Sequence, residues 1–144
     1  MTVFADSSFL LSLVIRDANS RAARRWWQRR NEPLCASPLV LFECENGLRS
    51  LHLRGGLSEE EAATAKLLLE KFVSEGVVAI REVRLKLLMA EARRLLIHFA
   101  RPVVHGSLDV LHVAAARVLR AETLVSFDDN QRGLAADAGF RVAP

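Results

Sequence analysis

Four carboxylates of this chain sit in apolar surroundings where an isolated charge is costly. Asp6 ends the run Thr2-Val-Phe-Ala5, and Glu43 follows Leu39-Val-Leu-Phe42. Asp109 lies in the first turn of Ser107-Leu-Asp-Val-Leu-His-Val-Ala-Ala-Ala116, and Asp128 ends Glu122-Thr-Leu-Val-Ser-Phe127. An acid so placed needs a cation, a donor or a metal, because a helix N-terminus favours it by only ~0.3–1 kcal/mol. Gathered into one cleft, the four repel one another, and one or two divalent cations relieve the repulsion. Oxygen-only ligands select a hard ion, Mg²⁺ or Mn²⁺, over zinc. Two such ions ~3.5–4 Å apart activate a water and stabilise the leaving oxygen of a phosphodiester. The expected chemistry is therefore metal-assisted phosphodiester hydrolysis, with Asp6, Glu43, Asp109 and Asp128 both catalytic and metal-holding. Glu45, two positions past Glu43, faces elsewhere on its helix, and Asp129 is expected at the surface. His112, one turn past Asp109, either orients that acid or serves as a core histidine.

The elements around these acids alternate. Thr2–Ala5 reads as a strand and hands directly to a helix from Ser7 to about Arg16. Asp17-Ala-Asn19-Ser20 reads as a turn and N-cap before a helix over Arg21–Arg30, which Asn31-Glu-Pro33 stops. Leu34–Ala36 is a second strand. Ser37-Pro38 then pairs an N-cap with proline in the first helical position, opening a helix to about Arg54. Ser58-Glu-Glu-Glu61 has the form of a capping box, and that helix runs to about Glu75, closed by Gly76. Val77–Ile80 is a third strand and Leu85–Phe99 a helix that Arg101-Pro102 stops. Ser107 is the expected N-cap of the next, largely buried helix. Glu122–Phe127 is a fourth strand, followed by a helix over Asn130–Ala138, a Gly139 cap and a last strand Phe140–Val142. Continuous apolar strands alternating with helices predict an α/β fold, with a short, mainly parallel sheet of four to five strands covered on both faces. In such a sheet the ligand crevice lies beyond the carboxyl ends of the strands, where Asp6 and Asp128 fall.

Composition sets the frame. The 144 residues suffice for one domain, 1–144, with a proper core, and 51% of them are apolar. No apolar run reaches the ~18–20 residues of a membrane span. The start, Met1-Thr-Val-Phe-Ala-Asp6, has neither a basic leader nor a cleavage site. Cys35 and Cys44 form no metal or disulfide spacing and read as reduced core thiols, so a cytoplasmic location is expected. The formal net charge of +3 is carried almost wholly by arginine, with lysine only at 66, 71 and 86. Arginine is the better phosphate fork, and a modest positive excess beside an acidic site is compatible with a nucleic-acid substrate.

Taken in order, Val3-Phe-Ala-Asp6-Ser-Ser-Phe-Leu, Leu41-Phe-Glu43-Cys-Glu-Asn46-Gly-Leu, Ser107-Leu-Asp109-Val-Leu-His112-Val-Ala-Ala and Leu124-Val-Ser126-Phe-Asp128-Asp-Asn-Gln131 resemble the four acidic motifs of the PIN-domain family. The whole chain, to its final Gly139-Phe-Arg-Val, is similar to VapC-type toxins of bacterial toxin–antitoxin pairs. The resemblance implies a PIN-like three-layer α/β/α fold and a Mg²⁺- or Mn²⁺-dependent endoribonuclease. It also implies a cognate antitoxin and a homodimer. Asp6, Glu43, Asp109 and Asp128 then become the metal-site carboxylates, and Ser126 the hydroxyl that supports them. One departure stands out. Close relatives often carry an arginine three residues before the third acid, where this chain has Gly106 preceded by His105. Either that basic anchor is lost or Arg101 replaces it.

Arg21–Arg30 combines five arginines with Trp26 and Trp27. It admits three readings: a surface that grips RNA phosphates, with Arg24 and Arg25 foremost; a tryptophan packed into the core within a solvated rim; or a seat for the antitoxin. The apolar surplus of the helices Ser58–Glu75 and Leu85–Phe99 is expected to meet a second copy. The alternative to a nuclease is a catalytically silent PIN-like or receiver-like metal-binding module. A receiver needs paired acids after its first strand and a late lysine, whereas here Asp6 stands alone and no lysine follows Lys86.

Overall fold

The computed structural model describes residues 2–30, 32–99 and 102–144. Arg101, expected to stop a helix and to replace the missing anchor, and Asn31, part of another expected stop, lie outside them. The elements are β1 (Val3–Ala5), α1 (Ser7–Val14), α2 (Ser20–Gln28), β2 (Leu34–Ala36), α3 (Pro38–Leu53), α4 (Glu59–Ser74), β3 (Val78–Ile80), α5 (Leu85–His98), α6 (Ser107–Val118), β4 (Thr123–Val125), α7 (Asp129–Asp137) and β5 (Arg141–Ala143).

All five strands are parallel, in the order β3-β2-β1-β4-β5. The inner strands β1, β2 and β4 are buried throughout, while the edge strands β3 and β5 are covered only in part. That is why the inner strands read as unbroken apolar runs. The chain steps from β1 to β2 to β3 in one direction, then crosses back to β4 and on to β5. Right-handed crossovers therefore place α1–α4 on one face and α5–α7 on the other. The direction reverses between β1 and β4, and this switch point is where a parallel sheet opens a crevice. Registers run Val3↔Thr123, Phe4↔Leu124 and Ala5↔Val125, so Asp6 and Ser126 leave the sheet side by side.

Local chemistry sets most helix ends. Ser37 Oγ accepts from Val40 N–H with Pro38 at the first position, and Ser58 and Glu61 form the reciprocal capping box. Gly76 follows α4 at φ 74° and Gly139 follows α7 at φ 88°, a left-handed conformation that glycine adopts without steric cost. Two expected caps are corrected. Gly106, not Ser107, is the N-cap of α6, and it offers no side-chain hydrogen bond, since Ser107 is already helical. Asn19, not Ser20, is the N-cap of α2, and it makes no side-chain bond; Ser20 is already helical, and its Oγ and the Asn19 N–H donate to Asp17. No helix among the described residues is long and apolar enough to cross a membrane.

Candidate active site

Asp6 and Asp128 are both N-caps, one for each helix that departs from the switch point. Asp6 Oδ1 accepts from Phe9 N–H at 2.9 Å, and Asp128 Oδ1 accepts from Gln131 N–H at 2.8 Å. Two serines join the caps. Ser126 Oγ donates to Asp6 Oδ2 at 2.5 Å and accepts from Asp128 N–H at 3.0 Å. Ser8 Oγ donates to Asp6 Oδ1 at 2.8 Å and accepts from Phe127 N–H at 2.9 Å. The ends of β1 and β4 are thus tied by hydroxyls that give one bond and take another. Ser126 was expected in this role. Ser8 was not, although an acid at a strand end followed by two serines is a readable signal.

Asp6 is the deepest of the four, only 3% exposed. Phe9 lies beside it, stacked on Phe127 at 5.8 Å and edge-on to Trp26 at 5.5 Å. Burial in this setting pushes the Asp6 carboxyl up from an ordinary 3.8 to about 6, against the pull of Ser126, Phe9 and Ser8. Asp128, one residue past the bend at Phe127, is exposed.

Glu43, half-buried on α3, receives two donors on one oxygen. Ser7 Oγ donates to Oε2 at 2.7 Å, and His112 Nε2 lies 2.7 Å from the same atom. The His112 bond is the largest cause holding the Glu43 carboxyl below its usual range, followed in the same direction by Ser7. Of the two expected roles of His112, orienting Asp109 is corrected, while the core reading holds in that it is fully buried, and it serves Glu43 across 69 positions of sequence. Its Nδ1 is buried with no partner among the described residues. A histidine three positions past an acid on one helix was the available signal, but the identity of its partner was not in the local sequence.

Asp109, on the same helix, has its carboxyl raised chiefly by burial, then by repulsion from Asp128 and from Glu43. The third, fourth and second acids therefore share one electrostatic environment. A Cβ on Gly106 would stand 3.4 Å from Asp109 Oδ2, so the glycine keeps that flank of the carboxylate bare. Gln131 is a further residue that sequence reasoning passed over. It is buried, its N–H is capped by Asp128, and its side-chain amide reaches the Asp109 carbonyl at 3.4 Å. It links the third and fourth acids.

Arg24 and Arg25 are not brought to this cleft. Arg24 lines a pocket with Val14, Ile15 and Arg16 at the far end of α1, which is about 12 Å long. Asp6 caps the opposite end. Trp26 and Trp27 are half-buried against Phe9 and Phe72, so both serve packing, with the Arg30 guanidinium 4.4 Å over the Trp26 ring. Glu45 and Asp129 are exposed, as expected.

The donor set suits a hard divalent ion, since it is all oxygen, with carboxyls that repel one another. As they stand, however, no three His, Cys, Asp or Glu side chains among the described residues are close enough to hold an ion together. Glu43 is drawn toward Ser7 and His112, and one oxygen of Asp128 is engaged in capping.

A parallel β3-β2-β1-β4-β5 sheet with Asp6 and Asp128 capping the helices at its switch point, and Asp109 coupled to Asp128 and Glu43, defines a class of α/β domain. The PIN domain model matches residues 3–137, and the chain belongs to the PIN-domain family. No curated protein matches it in sequence. Among solved structures it is similar to VapC20 of Mycobacterium tuberculosis, a sarcin–ricin loop cleaving toxin, at 24% identity and TM-score 0.70 over 96% of each chain. It is similar to FitAcB of Neisseria gonorrhoeae at 15% identity and TM-score 0.74, over 99% of this chain and 97% of that one. It also resembles VapBC2 of Rickettsia felis, solved on a DNA fragment from its promoter, at 14% identity and TM-score 0.67, over 99% and 98% of the chains.

Proposed function

We propose that this chain is a divalent-metal-dependent endoribonuclease, a single cytoplasmic domain that acts as the toxin of a toxin–antitoxin pair. The observation that carries the reading is the electrostatic coupling of Asp109 to Asp128 and Glu43 at the switch point, beside Asp6 and its hydroxyl link through Ser126. Asp6, Glu43, Asp109 and Asp128 would hold Mg²⁺ or Mn²⁺. The bound metal would supply charge neutralisation at the scissile phosphate and a water of lowered pKa. The chain's own groups set up that chemistry. Ser126 and Ser8 fix both oxygens of Asp6, His112 and Ser7 fix one oxygen of Glu43, and Gln131 spaces Asp109 from Asp128. Membership of the family suggests a cognate antitoxin, which would cover this cleft with a basic side chain paired to the carboxylates in the cation's stead. It also suggests a homodimer, for which α5 offers exposed Leu85, Leu87, Leu96 and Ile97 and α4 offers Leu67.

The test is RNA cleavage by the purified chain with Mg²⁺ or Mn²⁺, with chelator, and with Asp109→Asn. Cleavage that survives chelator or the substitution overturns the reading. A second reading, a silent PIN-like module, draws on the absence of a ligand-spaced triad among the described residues. Under that reading the same assay yields no cleavage by the native chain.

A further inference from the structure

At the far end of α1, where Arg16 follows the helix, Arg16, Arg21, Arg24 and Arg25 line an open trough of about 580 Å³ with Ser20 and Gln28. Among the described residues the only acid in its lining is Asp17, and its carboxylate is already engaged. Oδ2 accepts from Ser12 Oγ at 2.7 Å, and Oδ1 accepts from Asn19 N–H at 2.8 Å and Ser20 Oγ at 2.9 Å. Asp17 thus stitches the turn between α1 and α2. Four arginines against one aspartate give the trough a formal +3, equal to the net charge of the whole chain. Arg21, Arg24 and Arg25 are exposed, and the helix that carries them is clamped by Trp26 on Phe9 and by Trp27 on Phe72. The guanidinium forks are therefore presented from a fixed helix. Glu60 and Glu61 of α4 border the adjoining pocket beside Arg16 and Arg24, so the positive surface is bounded on that side.

We infer that this trough is an exosite for the phosphate backbone of a folded RNA whose scissile bond lies in the acidic cleft. The choice of RNA rests on the ribonuclease reading above. The choice of phosphate over a protein partner rests on the lining itself. Among the described residues it contains no apolar side chain, whereas protein interfaces bury an apolar core depleted of charge. Nucleic-acid interfaces are polar and strongly positive, and arginine forks engage phosphate oxygens through two parallel bonds. One helix length separates trough and cleft, so only a substrate extending past the cleavage point engages both.

The test measures binding of a fluorescein-labelled RNA hairpin and of a labelled tetranucleotide to the full chain, with Ca²⁺ in place of Mg²⁺ or Mn²⁺, across a salt series. Arg24→Ala with Arg25→Ala should flatten the log–log salt slope for the hairpin by about 1.4–1.8, the loss of two phosphate contacts. The tetranucleotide should bind as before. Arg24→Lys with Arg25→Lys keeps the charge and should keep the slope, which separates phosphate contact from helix packing. An unchanged hairpin slope in the alanine variant overturns the exosite, as does an equal loss for both RNAs. A variant that keeps its RNA slope but loses a labelled polyglutamate peptide reassigns the trough to an acidic protein segment and overturns the proposal. Arginine-dependent binding without cleavage by the native chain would retain the exosite and remove the ribonuclease reading.

Discussion

The two ends of α1 handle charge in opposite ways. At its start Asp6 is 3% exposed, and both its oxygens are met by Ser8, Ser126 and Phe9 N–H. At its finish the arginines project into solvent from a clamped helix. Burying a carboxylate is expensive unless its oxygens are served, so the acidic end is held by hydrogen bonds from Ser8 and Phe9 of α1 and from Ser126 just past β4. An exposed guanidinium is cheap and needs no partner to persist. Geometry therefore argues for the role of the acids residue by residue, and for the arginines only through their collective field.

The largest expected effects fall on the acidic end. Asp109→Asn and Asp128→Asn preserve shape and remove an anionic ligand, so divalent-dependent RNA cleavage should fall by orders of magnitude while circular dichroism stays native. Full cleavage by Asp109→Asn would break the contrast at its stronger side.

Next in size is His112→Ala, which strips Glu43 of its principal donor and opens a buried gap. Activity should drop about 10–100-fold, as for lost partners of metal ligands, and stability by about 1–3 kcal/mol. His112→Gln retains a donor and should recover part of both. Equal activity in the two variants would leave His112 a packing residue only.

Asp6 sharpens the comparison through pH. Its folded pKa of about 6 exceeds the ordinary 3.8, so the native state holds the extra proton between those values. Metal-free stability should thus decline as pH rises from 4 to 6, by at most about 3 kcal/mol from this group. Asp6→Asn should shrink that decline, leaving the part owed to Asp109, whose carboxyl is raised in the same direction. Glu43 acts with the opposite sign: its lowered pKa contributes stability above the ordinary value that is lost on acidification. Chelator-treated melting curves of the native chain, Asp6→Asn and Glu43→Gln separate the two, and a native curve rising through this range would contradict the Asp6 assignment.

A smaller effect is expected on α5. Ile97, 82% exposed, and Leu96, 60% exposed, form the apolar surplus of that helix. Ile97→Asp should convert a dimer to a monomer by sedimentation at micromolar concentration, with little change in melting of the monomer. A native chain already monomeric there would refute the dimer. The smallest effects belong to Glu45→Gln and Asp129→Asn. Both are exposed, and each should shift stability by no more than about 0.5 kcal/mol and leave cleavage nearly intact.

Local sequence was sufficient wherever the deciding interaction spans a turn or less. Ser37-Pro38, the Ser58–Glu61 box and the left-handed Gly76 and Gly139 are short-range hydrogen-bond and steric matters, and all were legible. The inner strands were legible from their apolar runs, because buried parallel strands tolerate little else. The four acids were legible as misfits, since a charge in an apolar run requires an explanation whatever the fold. Their partners were another matter. His112 reaches Glu43 across 69 positions, Ser126 reaches Asp6 across 120, and Phe127 N–H reaches Ser8 across 119. Which donor meets which acid depends on the strand order that sets β1 against β4. The register Ala5↔Val125 is a property of the whole sheet, not of either strand. The separation of the arginines from the cleft was decided in the same way. Residues 18 positions apart in sequence come to opposite ends of α1 because a rigid helix lies between them, and only packing against Phe9 and Phe72 fixed where the second helix would point.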